Sequence, residues 1–142
     1  MAHGATLPEL VVVTLIIGVM ASIVTPPARR TLDRIAVTGA AQRYSTIHES
    51  ARQSAIARSA LVRYELARVG SSIALAVRKP NGRWDTLAVW TLGQVNVESG
   101  QRIVTFNPLG LGAGASNTRI VFSRGQAAET LTVSRTGRLK RW

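Results

Sequence analysis

The segment GATLPELVVVTLIIGVMASIVTPPARR, residues 4–30, decides how the rest of the chain is read. No charged residue stands between Leu10 and Ala28, and most of that run is Leu, Ile, Val, Met, Ala or Gly. A helix needs about 20 apolar residues to cross the hydrocarbon of a bilayer. Ala5 to Val24 supplies that length with one exception, Glu9. A run that is apolar on every side has no polar face to offer water, which argues against the core helix of a soluble protein. A cleaved secretory signal would carry a basic segment ahead of the apolar core, and none precedes this one. The expectation is a membrane-spanning helix.

Glu9 is the residue that composition does not explain. A carboxylate inside an apolar helix costs roughly 2–3 kcal/mol on insertion scales, and less if it reaches the interface. Glu9 lies near the start of the run, where the interface is within reach. A nearby cation would stabilise it further. Cleavage after Gly4 would create one, the α-amino group of Ala5, which a neighbouring subunit could present at the right depth.

Downstream, Thr25-Pro26-Pro27 is expected to interrupt the helix with a kink or a break, because proline removes a donor and crowds the preceding turn. The helix can restart at once. From Ala28 to Ser59 apolar residues keep helical spacing, and Leu32, Ile35, Ala36, Gly39, Ala40, Tyr44, Ile47, Ala51 and Ala55 are expected to line the buried stripe. After Ala60 the period changes to two. Leu61–Leu66, Ile73–Val77, Trp84–Trp90, Arg102–Phe106, Arg119–Ser123 and Glu129–Ser134 read as strands, with Lys79-Pro80-Asn81-Gly82 as a hairpin turn. The Gly-rich loop Asn107–Asn117 is expected to be mobile. The fold class that follows is α+β: one long N-terminal helix, transmembrane and then amphipathic, packed on an antiparallel sheet.

Composition sets outer limits. The 142 residues suit one domain plus an anchor, and 46% hydrophobic against 18% charged residues is enough apolar material for a core. The net charge of +11 calls for an anionic partner, either nucleic acid or lipid headgroups. Without cysteine there is no disulfide framework and no thiolate metal site. The two histidines, His3 and His48, stand apart, with no metal-ligand spacing and no hydroxyl–base pair nearby in the sequence. His48 reads as a surface or packing residue of the helix. Gly110-Leu111-Gly112-Ala113-Gly114 lacks the following helix that a phosphate loop requires. Neither an enzyme nor a cofactor or metal site is expected. The basic residues Arg135, Arg138, Lys140 and Arg141, around Gly137 and beside Trp142, suit phosphate contacts with an aromatic available for stacking. A solvated basic tail, or one that neutralises acidic neighbours, fits the same residues.

The string from Gly4 to Pro26 resembles the prepilin signal of type IV pilins and type II secretion pseudopilins. The resemblance implies cleavage after Gly4 by prepilin peptidase, methylation of Ala5 as the new first residue, and an assembly role for Glu9 in the fifth mature position. The family usually begins its mature chain with Phe or Met, where this one has Ala5. Arg29 and Arg30 follow the span, while the leader has no Lys or Arg, so the charge asymmetry runs against the family's orientation. Three further segments, ARQSAIAR (51–58), FNPLG (106–110) and LTVSRTGR (131–138), are similar to the GspH/FimT family of minor pseudopilins and minor pilins. That resemblance implies a leader over residues 1–4, a transmembrane helix over 5–25, its amphipathic continuation over 26–59, and a β-rich domain over 60–142 ending in the basic tail. It further implies a bacterial inner-membrane protein with its C-terminal domain in the periplasm. Its partners would be other pilin or pseudopilin subunits, prepilin peptidase and inner-membrane lipid. The implied function is that of a structural subunit of a type II secretion filament. DNA-binding minor pilins of the family carry a GR-x-R motif, to which Gly137-Arg138-Leu139-Lys140 is similar in charge. DNA is therefore the alternative partner.

Overall fold

The computed structural model describes residues 6–67, 71–113 and 117–142. The chain divides into two units, Met1–Leu32 and Asp33–Trp142. One helix, α1 (Leu7–Ala57), begins in the first and ends in the second. It runs through Pro26 and Pro27 without a break, where the sequence led us to expect an interruption.

In the first unit, α1 is long and apolar enough to cross a membrane, and its large apolar side chains from Leu7 to Met20 are exposed. Lipid offers no hydrogen bonds, so every polar group in a span must be satisfied within the span. Two side chains of the described span meet that demand. Thr14 Oγ1 donates to the Leu10 carbonyl at 3.0 Å, and Ser22 Oγ to the Val19 carbonyl at 2.7 Å.

In the second unit, α1 buries Val37, Ala40, Ala41, Tyr44, Ile47, His48, Ala51 and Ala55, a stripe at three- and four-residue spacing. Part of the expected stripe is wrong. Leu32 and Ile35 are 62% and 64% exposed, and Gly39 is exposed. At 3.6 residues per turn, positions 35 and 39 fall on the side of the helix away from Val37 and Ala41. The helix ends in a Schellman turn. Ala60 N donates to the Ala55 carbonyl and Ser59 N to the Ile56 carbonyl, both at 3.2 Å, with Ser59 at φ 47°.

Among the described residues eight strands follow: β1 (Val62–Leu66), β2 (Ser72–Arg78), β3 (Trp84–Thr91), β4 (Asn96–Ser99), β5 (Ile103–Phe106), β6 (Thr118–Arg124), β7 (Ala127–Val133) and β8 (Leu139–Arg141). They form two antiparallel sheets, ordered β3-β2-β1-β5 and β4-β6-β7-β8. The sequence pointed to six of these strands; β4 and β8 are additions. Alternation sends Val62, Tyr64 and Leu66 inward from the first sheet, and Ile120, Phe122, Leu131 and Val133 inward from the second. Tyr44 packs edge-on against Tyr64 of β1 and Phe122 of β6, each 5.6 Å between ring centres. One helix residue thus joins both sheets into a single core.

The loop after β5, expected to be mobile, is pinned over its described part. Asn107 Oδ1 accepts from the Leu109 and Leu111 amides at 3.0 and 2.9 Å, and Gly112 bridges back to Phe106. Arg52 Nε donates to the Gly110 carbonyl at 3.1 Å, tying the loop to α1. Residues 114–116 lie outside the described residues.

Candidate functional site

Two places carry the residues singled out from the sequence. The first is the start of α1. Gly4 and Ala5 lie outside the described residues. Thr6 stands just ahead of the helix, and Glu9 Oε2 accepts from the Thr6 amide at 3.4 Å. Thr6-Leu7-Pro8-Glu9 therefore has half of a capping box, in which an acidic side chain at the third helical position reaches back to the cap residue. The negative charge also faces the positive end of the helix dipole. Glu9 thus has a role within its own chain as well as the charge needed to meet an amine. Pro8 sits in the first turn, where its missing donor costs nothing.

The second place is the turn from β7 to β8. Ser134 N donates to the Arg138 carbonyl at 2.8 Å, Gly137 N to the Ser134 carbonyl at 2.9 Å, and Arg138 N to Ser134 Oγ at 3.0 Å. Gly137 has φ 79°, and a Cβ there would fall 2.6 Å from Phe106 Cε1, so both backbone and space demand glycine. Its carbonyl is held from beneath: His48 Nε2 lies 2.8 Å away. His48 Nδ1 lies 2.9 Å from Tyr64 Oη, and Tyr64 Oη 2.6 Å from Tyr44 Oη. A carbonyl only accepts, which assigns the proton of the neutral ring to Nε2. Nδ1 then accepts from Tyr64, and Tyr64 accepts from Tyr44. Burial lowers the His48 pKa and raises those of Tyr64 and Tyr44, so all three stay uncharged near neutral pH.

The basic residues around this turn separate into different environments. Lys140 Nζ sits 3.7 Å from the ring centre of Trp142, a cation–π contact. Trp142 Nε1 donates to Thr132 Oγ1 at 3.3 Å. Arg138, Lys140 and Trp142 line one open groove of about 500 Å³ together with Asn117, Thr132, Ser134 and Leu139. Arg135 donates its amide to Asn117 Oδ1 at 3.3 Å. Arg141 lies across β8 from Lys140 in the strand alternation. Its Nε is ion-paired with Glu129, whose other oxygen accepts from Thr38 Oγ1 at 3.1 Å. Arg141 is therefore occupied by the fold rather than offered to the groove.

Thr132 and Asn117 were not singled out from the sequence. Thr132 was legible as an outward position of β7, but its approach to Trp142 depends on the pairing of β7 with β8, Thr132 opposite Lys140. Among the described residues no group of three His, Asp or Glu side chains gathers as a metal site.

No protein-family model matches the sequence, and no curated protein matches it. Solved structures do. The type IV minor pilin FimU of Pseudomonas aeruginosa aligns over 82% of this chain and 92% of its own, with a TM-score of 0.64 and 13% identity. The minor pseudopilin EpsH from the type II secretion system of Vibrio cholerae aligns over 75% of this chain and 95% of its own, at 0.61 and 12%. At such identities the likeness is one of fold, and the fold of this chain is pilin-like: a long N-terminal helix on antiparallel sheet.

Proposed function

We propose that this chain is a minor pseudopilin, a structural subunit of a type II secretion filament held in the bacterial inner membrane before assembly. The observation that carries the reading is the first half of α1, an exposed apolar helix long enough to span a bilayer and without a charge from Leu10 to Ala28, leading into a domain of pilin-like fold. Prepilin peptidase cuts after Gly4 and methylates Ala5. The apolar helix then leaves lipid for the packed centre of a filament, and Glu9 meets the N-terminal amine of an adjacent subunit. A charge pair in so dry a setting is strong only when both partners are present, which makes insertion selective for correctly processed neighbours. The domain stands in the periplasm and contacts other subunits or cargo.

The test is the mature N-terminus together with Glu9. N-terminal sequencing of protein made beside prepilin peptidase should read from Ala5; an intact Met1 would refute the assignment. Glu9→Gln keeps an acceptor for the Thr6 amide but loses the charge. It should stay anchored in the membrane while dropping out of sheared filaments, and equal recovery in filaments would remove the pairing role.

A second reading has its own observation. Arg138 and Lys140 line one groove with an exposed tryptophan, which favours a minor pilin of a type IV pilus that captures DNA. Deleting the gene separates the two systems: the first reading requires a secretion defect, the second a loss of DNA uptake.

A further inference from the structure

We propose that the groove between β7 and β8 binds unpaired nucleotides, stacking a base on Trp142 while Arg138 and Lys140 hold the phosphates. The proposal rests on the second reading above and narrows it from polyanion to single-stranded nucleic acid.

Trp142 is 71% exposed, an unusual position for the largest apolar side chain. Yet the ring is not loose. Its indole N–H is bonded to Thr132 Oγ1 at 3.3 Å, its backbone amide to the Thr130 carbonyl at 3.1 Å, and the Lys140 ammonium sits over the ring at 3.7 Å. These three contacts hold a flat aromatic plate in water with much of its surface uncovered. Around it stand an amide at Asn117, hydroxyls at Thr132 and Ser134, and the two cations, all lining the same groove. The amide and hydroxyls can meet the edges of a heterocycle, whose donors and acceptors vary from base to base. The cations meet the phosphates on either side of it.

The same chemistry argues against an acidic peptide. The face of an indole is the negative side of its quadrupole, so a carboxylate gains nothing by lying on it, whereas the π-face of a base does. It argues equally against intact duplex as the preferred ligand, because paired bases are stacked on one another and present only their edges. Strand ends, gaps and single strands offer an unstacked base beside a phosphate. Gly137 and the His48 contact beneath it fix the turn on which Arg138 is mounted. The cation side of the groove is therefore set before a ligand arrives.

The experiment uses the full chain in zwitterionic detergent at one salt concentration, titrated against fluorescent oligothymidylate, an abasic oligonucleotide of equal length and charge, and a duplex of equal length. Oligothymidylate should bind roughly 5-fold or more tightly than the abasic strand, the least that one aromatic–base stack supplies. Trp142→Ala should erase that preference, and Trp142→Phe should retain part of it. Arg138→Ala should weaken the abasic and base-bearing strands by the same factor. Equal affinity for the two single strands, or a preference that survives Trp142→Ala, overturns the stacking site while leaving the polyanion reading in place. Failure of all three probes to bind overturns both. Trp142 lies on the surface beyond β8, so its variants retain the core.

Discussion

Acid should destabilise this fold through one histidine. In the native state His48 is neutral. Its Nε2 proton goes to the Gly137 carbonyl, and its Nδ1 lone pair takes the Tyr64 proton, over 2.8 and 2.9 Å. A second proton on the ring would place an N–H against the Tyr64 hydroxyl. Tyr64 would have to turn its own hydrogen toward Tyr44, 2.6 Å away, and the Tyr44 proton would then lose its acceptor inside the core. Burial is the main cause that lowers the His48 pKa, with Arg52 acting the same way and the Gly137 carbonyl and Glu49 opposing. The unfolded chain takes up this proton near pH 6.5, the folded chain only at lower pH. Between those two points the unfolded state binds more protons, so stability rises with pH. The contribution is complete above about pH 6.5 and falls as the pH drops toward the folded pKa, by at most about 1.4 kcal/mol per unit. Denaturant unfolding of the full chain in detergent, followed by tryptophan fluorescence from pH 8 to pH 5, measures it. His48→Gln should be less stable at pH 8 but should lose the His48 share of the slope below about pH 6.5. In a His3→Ala background His48 is the one imidazole left, and its ring resonances should titrate below the usual range. An unchanged slope in His48→Gln, or titration at or above about pH 6.5, would refute the neutral-histidine account.

Four other outcomes follow from the geometry. Gly137→Ala should cost about 2–4 kcal/mol in denaturant unfolding, combining a positive φ with a Cβ driven into Phe106. Ser59→Gly should stabilise by about 0.5–1 kcal/mol in the same assay, because Ser59 closes the helix at φ 47° where glycine is unstrained. In duplex DNA binding across a salt series, changing Arg138 and Lys140 together to Ala should flatten the log–log slope by roughly 1.8, at about 0.9 per phosphate contact. Arg141→Ala should leave that slope alone and lower stability instead, since its partner Glu129 is 11% exposed and would lose the cation that faces it. A fall in slope for Arg141→Ala equal to that for Arg138→Ala would show that the groove is not the contact.

What could be read from the sequence follows from the range of the forces involved. The span depends on local composition alone, because lipid asks only that about twenty successive residues be apolar, and residues 10–28 answer that without reference to the rest of the chain. Strands with clean alternation, such as Thr130–Ser134, were equally legible. The buried stripe was not. Leu32, Ile35 and Gly39 have the right spacing among themselves, but spacing cannot say which of two apolar faces a sheet will cover, and the sheet covers the Val37–Ala41 face. Strand β8 has three residues, two of them cationic, and exists only because Leu139, Lys140 and Arg141 pair with Val133, Thr132 and Leu131.

The site divides along the same line. Its cations were visible as a cluster, yet charge alone grouped Arg141 with Arg138 and Lys140, and strand alternation separates them. Lys140 lines the groove beside Trp142, whereas Arg141 projects from the other face of β8 and is held by Glu129. His48 was visible only as an isolated residue on a helix. Its meaning lies in partners 16 and 89 residues away, Tyr64 and Gly137, which no local pattern connects. The interior polar chain and the exposed basic turn are nonetheless one construction. The carbonyl that His48 holds belongs to the residue preceding Arg138, so the turn that carries the groove's arginine is fixed from inside the core. A ligand at the groove then meets a turn whose ordering entropy was spent in folding rather than in binding. The same coupling predicts that affinity at the groove holds while only the unfolded chain takes up the proton and weakens once the ring of folded His48 is itself protonated, at lower pH, and that His48→Gln removes this loss.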